Sequence, residues 1–189
     1  MSISAQYYGS VDEANDYFQN RLFADAWTNA NAADYPKALI RATQIMDALN
    51  YKGVKNTVWQ LMQNFPCGEE FTAWLYWPQG ERGPTPDQVR AAESAQELEF
   101  PRGSDTEVPE AIRRACYEIA FSLLDGKDPE LELENLSVSS QGYSSVRTTY
   151  NRNQVPLEHI INGVPSAEAW RLLRPFLRDG DHIKLSRKS

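Results

Sequence analysis

The side chains best suited to chemistry are Ser10, Ser139, Ser140 and Ser166 as nucleophiles and His159 and His182 as bases. A serine needs a positioned base to lose its proton, and that base needs an orienting partner. His159 and His182 are the only histidines, and neither has the context of a triad. His159 reads as a loop residue and His182 as part of the tail. Glu13, Glu110 and Glu118 read as ordinary helical acids. The run Asp125, Asp128, Glu130, Glu132 and Glu134 lacks the oxygen-ligand spacing of a calcium loop, so it reads as a solvated acidic linker. Gly80, Gly83 and Gly103 form neither of the phosphate-cradling patterns GxxxxGK[ST] and GxGxxG. Cys67, Cys116 and the two histidines make no metal spacing. Cys116 reads as a small buried hydrophobe, and a reducing compartment disfavours its pairing with Cys67. No cofactor is expected, and the chain does not read as an enzyme.

The charge is unevenly spread. The 189 residues carry a net charge of -7, with a pI near 4.9 and a mean hydropathy of -0.57. Residues 1–140 hold eleven Lys/Arg against twenty-two Asp/Glu, whereas 141–189 hold eight against four. Duplex binding needs several cations against phosphates, so an acidic body argues against a broad DNA-binding face. It suits a wall past which DNA slides without sticking. No run of about 18 apolar residues is present, and the start MSISAQYYGS lacks the pattern of a signal peptide. An intracellular setting without membrane contact is the expectation.

The elements that must position these residues are mostly helical. Ser10 and Glu13 form a capping box, and Ala14, Tyr17, Phe18, Leu22 and Ala26 then make one stripe of a helix predicted to end around 27–29. A second helix is predicted from Asp34 to about Leu49, antiparallel to the first. Thr85, Pro86 and Gln88 open a helix reaching about Leu98. Pro109 opens the best core helix, EAIRRACYEIAFSLL, which Gly126 stops. Period-two patterning predicts a β-hairpin over 136–140 with 145–150, which needs support from a neighbour. A polar loop, 151–165, leads to a last helix capped by Ser166, with Trp170, Leu173, Phe176 and Leu177 as its apolar side and Pro175 loosening its end. The expected fold class is mainly α: a small helical bundle with a β-hairpin and an extended C-terminal helix or arm. The body spans 1–135 with an aromatic excursion at 54–84; the hairpin and its loop span 136–165; the helix and basic tail span 166–189.

Two regions read as surfaces for partners. Trp59, Trp74, Tyr76 and Trp77 lie in a stretch broken by prolines and glycines, where aromatics serve either a core or an interface. Arg171, Arg174 and Arg178 recur at three and four residues beside Trp170, Leu173 and Phe176, the pattern of an anchor with a charged rim. Lys184, Arg187 and Lys188 extend that charge into the tail, which reads either as a frayed terminus or as a docking arm.

The segments Tyr8-GSVDEANDYF, Tyr51-Lys52-Gly53, Leu98-EFPRG, EVPEAIRRACYEIAFSLL, Val146-RTTY and WRLLRPFL, in this order, resemble the head-tail connector (adaptor) proteins of tailed bacteriophages. Related sequences are also labelled DnaT-like single-stranded-DNA-binding proteins. The resemblance covers most of the chain, and residues 54–92 depart from it in being longer and more aromatic. It implies a structural virion protein at the head-tail junction, assembled in the host cytoplasm. Twelve copies would form a homo-oligomeric ring that binds the portal above. A tail terminator, stopper or tail-tube protein would lie below, with double-stranded DNA passing through the lumen during genome ejection. The C-terminal residues above would then meet the portal, and Trp59, Trp74, Tyr76, Trp77, Tyr143, Arg147 and Tyr150 would meet neighbouring subunits. The alternative function, a single-stranded-DNA-binding or replication-accessory protein, needs a basic groove with stacking aromatics. Tyr143, Arg147, Tyr150 and Arg152 are its candidates.

Overall fold

The computed structural model describes residues 7–65, 83–137, 140–143, 146–149 and 158–178. Nine α-helices lie among them: α1 Val11–Gln19, α2 Asp25–Thr28, α3 Tyr35–Asp47, α4 Asn56–Gln63, α5 Pro86–Ala95, α6 Glu110–Leu124, α7 Pro129–Ser137, α8 Glu158–Ile161 and α9 Ala167–Leu173. A 3-10 turn, Arg174–Phe176, continues α9.

Helix α6 is the axis of the core. It buries Ile112, Ala115, Cys116, Tyr117, Glu118, Ile119, Ala120 and Ser122, and α1, α2, α3 and α9 all pack on it. Small residues at 115, 116 and 120 let the backbones approach. Leu39, Ala42 and Met46 of α3 and Ala169 and Leu173 of α9 fill the gaps. Each large apolar side chain so buried contributes about 2 kcal/mol relative to exposure. Cys116 is enclosed: its thiol lies 3.5 Å from Thr43 Oγ1 and 3.7 Å from the Leu39 carbonyl. Burial pushes that thiol up to about 12, which keeps it protonated and inert.

Both expected caps form, but only the second as the full capping box expected of each, because the Glu13 carboxylate turns to Tyr117 and Arg113. Ser10 Oγ accepts from the Glu13 N–H at 3.1 Å, and Thr85 with Gln88 makes the reciprocal capping box. Helix α1 stops sooner than its stripe predicts. Asn20 turns its side-chain amide back onto the Asp16 carbonyl at 3.1 Å, and Phe23 takes φ 58. The chain reverses, leaving Leu22 and Phe23 in solvent. Trp27 returns to the core in α2, stacked 4.7 Å from Phe18 and 4.6 Å from Tyr35. The acidic stretch expected as a linker is helix α7, started by Asp128, whose carboxylate accepts the Glu130 N–H at 3.0 Å. Residues expected to be irregular, 56–63, form α4.

The expected fold class needs correction. The C-terminal helix is not an extended arm: α9 is docked on α6, and Val164, Ala169 and Leu173 are fully buried. Its apolar stripe is too large to leave in water when α6 offers a matching face. Nor does the β-hairpin exist as expected over 136–140 with 145–150, because residues 136 and 137 are the last of α7. The extended backbone there is a ladder of two four-residue segments, Ser140 opposite Thr149 through Tyr143 opposite Val146, and it adds no layer to the helical core. The fold is a small, mainly α bundle whose last helix belongs to the body.

Gly9 explains one motif residue. Its φ is 80, and a Cβ there would lie 1.9 Å from Tyr117 Oη. That phenol donates to Glu13 Oε2 at 2.7 Å, so it cannot move aside freely. Gly9→Ala is expected to destabilise the fold by about 3 kcal/mol, from overpacking plus left-handed strain. The midpoint of urea unfolding reads this directly, and an unchanged midpoint would refute the contact.

Candidate interaction surfaces and the motif joint

The separated motifs meet in one joint. Tyr8 is buried; its hydroxyl donates to Asp47 and accepts the Phe100 N–H at 3.2 Å. The Phe100 ring stands edge-on to Tyr8, Tyr51 and Phe176, with centroids 6.1, 4.7 and 5.8 Å away. Arg102 reaches back across the chain: Nε donates to the Lys52 carbonyl at 3.0 Å and Nη2 to the Gly53 carbonyl at 2.7 Å. It also pairs with Glu99 and lies 5.7 Å from the Tyr51 ring centroid. The planar, multi-donor guanidinium suits this work, which a lysine could not reproduce. Lys55 joins at 3.4 Å from Glu99 and 3.0 Å from the Gln96 carbonyl. The end of the described chain closes the joint. The Lys52 N–H donates to Phe176 at 2.9 Å and the Arg178 N–H to Asn50 at 3.0 Å, around a bridge between Tyr51 and Leu177.

Electrostatics make this joint structural in character. Burial raises the Asp47 carboxyl above the usual carboxylate range, against the opposing pull of the Tyr8 hydrogen bond and Lys55. Burial, then Asp47, pushes the Tyr8 and Tyr51 phenols well above their ordinary values. The phenols therefore stay neutral, and their polar atoms are engaged within the chain.

Glu13, Glu110 and Glu118, separate in sequence, come together along α1 and α6. Glu13, Asp16, Tyr17, Asn20, Arg21, Glu110, Arg113, Arg114 and Tyr117 line a cleft of about 640 Å³. Glu118 is buried behind it, 3.0 Å from Arg21 and accepting from Tyr17 Oη at 2.7 Å. Burial and that bond push Tyr17 up to about 12. Glu13 pairs with Arg113 at 3.1 Å and Glu110 with Arg114. Glu13, Glu110 and Glu118 are thus each matched to a guanidinium, which is the arrangement of a fastening. Spacing carried part of this signal: 110 and 118 share a face of α6, but α1 had no visible claim on it.

Two of the serines expected as weak nucleophile candidates are spent elsewhere. Ser10 and Ser166 are caps, the latter accepting the Ala169 N–H at 3.2 Å. His159 is half-buried in α8. Ser139 and His182 lie outside the described residues. No group of three or more His, Cys, Asp or Glu that could hold a metal occurs among the described residues. None of the described helices is long and apolar enough to cross a membrane.

The expected partner contacts separate into core and surface. Trp170 and Leu173 point into the core and Phe176 is half-buried against Phe100, so these three hold α9 in place. Arg171, Arg174 and Arg178 are exposed, with Arg171 3.1 Å from Glu168. Trp59 is half-buried on α4. Tyr143 and Arg147 lie on opposite strands of the short ladder, at adjacent rungs. Trp74, Tyr76, Trp77, Tyr150, Arg152, Lys184, Arg187 and Lys188 lie outside the described residues. Leu22 and Phe23 were not expected at a surface, because sequence alone placed Leu22 on the buried stripe of a longer helix. No family model matches this chain, and no curated protein or solved structure matches it.

The raised Asp47 pKa has a defined sign. The folded protein holds this proton more tightly than the unfolded chain, so the buried charge costs stability above the folded pKa. That cost disappears as pH falls through the raised value toward about 4, the unfolded value. The stability of wild type relative to Asp47→Asn should therefore fall as pH rises through that window. Urea titrations of both proteins between pH 4 and 7 test this, and a constant difference would contradict it.

Proposed function

We propose that this chain is a structural head-tail connector of a tailed phage, an adaptor whose copies form a ring between portal and tail and continue the DNA channel. The observation that carries the reading is the convergence of the resembling segments. Tyr8-Gly9-Ser10, Tyr51-Lys52-Gly53, Phe100-Pro101-Arg102-Gly103 and the Trp170–Phe176 stretch are far apart in sequence yet interlock in one joint. Segments that interlock in such a joint make a scaffold, which is what a connector requires. The paired carboxylates of the α1–α6 cleft fit the same role, since they fasten the helices of a scaffold.

In this reading the twelve-membered ring meets the portal above, through Arg171, Arg174 and Arg178 with Lys184, Arg187 and Lys188. A terminator, stopper or tail-tube protein lies below. Trp170, Leu173 and Phe176 serve it indirectly, by holding α9 so that the three arginines face outward. No reaction is assigned to the chain.

Truncation at residue 178, which removes 179–189, should weaken binding to purified portal at least tenfold while leaving the thermal unfolding midpoint within about 2 °C. Equal portal binding by the full and shortened chains would sink the arm's role. Fluorescence anisotropy with a single-stranded oligonucleotide at 0.15 M salt should show no binding at micromolar protein. Tight, salt-dependent binding would instead favour the single-stranded-DNA-binding alternative.

A further inference from the structure

The body is acidic, so a cation on it has carboxylates to choose from. Every Lys and Arg whose side chain is described holds one at 3.8 Å or closer, except Lys52, Arg174 and Arg178. Those three are exposed and have no counter-ion among the described residues. Sequence does not associate them: Lys52 lies in the turn between α3 and α4, 123 residues before Pro175.

The fold brings them to one place. The bridge between Tyr51 and Leu177 joins the turn to the end of the described chain. On one side of it the Lys52 N–H donates to the Phe176 carbonyl at 2.9 Å, and on the other the Arg178 N–H donates to Asn50 at 3.0 Å. The Lys52 ammonium reaches the Pro175 carbonyl at 3.4 Å, which sets it beside Arg174. Beneath the turn, Arg102 holds the Lys52 carbonyl at 3.0 Å and is itself neutralised by Glu99. The backbone under the three cations is therefore tied, and their charges are gathered although like charges repel. An anion set against them relieves that repulsion and accepts charge-assisted hydrogen bonds.

We infer that Lys52, Arg174 and Arg178 form one docking site for an acidic segment of a partner protein, whose carboxylates meet the three cations. Charge complementarity selects an anion, and the surroundings select protein over nucleic acid. Tyr51 and Phe100 are buried and Phe176 is half-buried against Phe100, so the joint offers no ring on which bases could stack. Three cations release few counterions from a phosphate backbone. The net charge of -7 opposes a long polyanion more than a short acidic stretch. Exposed Asn50 and Pro175 and half-buried Leu177 supply the polar and apolar ground of a protein contact. Arg171, paired with Glu168 at 3.1 Å, stands at the margin of the site. The inference deepens the connector reading and rests on it only in making the portal the protein that carries the acidic segment.

The test uses the full chain, a short fluorescent poly-L-glutamate and purified portal. Anisotropy at low salt should show poly-glutamate binding to wild type that weakens as salt rises. Lys52→Gln/Arg174→Gln/Arg178→Gln should weaken it at least tenfold, and Lys52→Gln alone about threefold. Lys37→Gln/Arg90→Gln/Lys127→Gln removes the same charge from paired cations and should change binding less than about twofold. Circular dichroism and the thermal midpoint check that each variant folds. No binding by wild type, unchanged binding by the first triple variant, or an equal loss in the second overturns the site. Unchanged binding by Lys52→Gln overturns the place of Lys52 in it. An oligonucleotide of matched charge that binds more tightly than poly-glutamate, through these three residues, overturns the choice of a protein partner. Purified portal should show the same tenfold loss with the first triple variant. Full portal binding by that variant overturns the site and leaves the connector reading standing. Poly-glutamate binding through the three cations, in a chain that ignores portal, sinks the connector reading and leaves the site intact.

Discussion

Everything in this fold depends on burying helix α6 nearly all round. An α-helix normally keeps one polar face for water, but α6 is covered by α1, α2, α3 and α9 together. That makes Glu118 a problem the structure must solve, because an ionised carboxylate inside a protein is costly without a partner. Arg21 and Tyr17 supply the partners from α1 and the turn after it. The same guanidinium lies over Phe121. One interaction therefore sets where α1 ends, fixes the loop that follows, and completes the covering of α6.

The second joint, at the other motifs, works on the same logic with backbone groups. Loops joining short helices leave carbonyls that must be satisfied. Arg102 takes two of them, at Lys52 and Gly53, and the end of the described chain pairs with Asn50 and Lys52. Tyr8, Tyr51, Phe100 and Phe176 fill the space between. Helix α9 and the residues following it to Arg178 are consequently part of the body. What they offer outward is charge, at Arg171, Arg174 and Arg178, while their aromatic side holds them down.

These two joints bear on function through stiffness. Under the proposed connector reading, a ring subunit would transmit load between neighbours and would need its surfaces held in fixed relation. The α1–α2 loop is tied on both sides, Arg21 to Glu118 and Trp27 into the core stack, with Leu22 and Phe23 exposed between them. Residues 1–140 carry eleven Lys/Arg against twenty-two Asp/Glu, an acidic excess that under the same reading would let DNA pass without being gripped.

Local signals were legible in the sequence. Ser10, Thr85 with Gln88, and Ser166 cap helices because their oxygens reach N–H groups three residues away, a contact that spacing alone specifies. The apolar period of α3 and α6 was equally readable. The extended last helix was misread for a definite reason. Trp170, Leu173 and Phe176 look the same in sequence whether their stripe faces another protein or the chain's own core, and only the face offered by α6 decides. Leu22 was misread because periodicity continues past Gln19, whereas Asn20 and the demands of Arg21 end the helix. Residue types and local spacing thus determined the helical class, the caps and the acidic character of the body. The tertiary structure alone decided which side chains meet across a hundred residues, because contacts such as Tyr17 with Glu118 and Arg113 with Glu13 are made by packing and leave no mark in the neighbouring sequence.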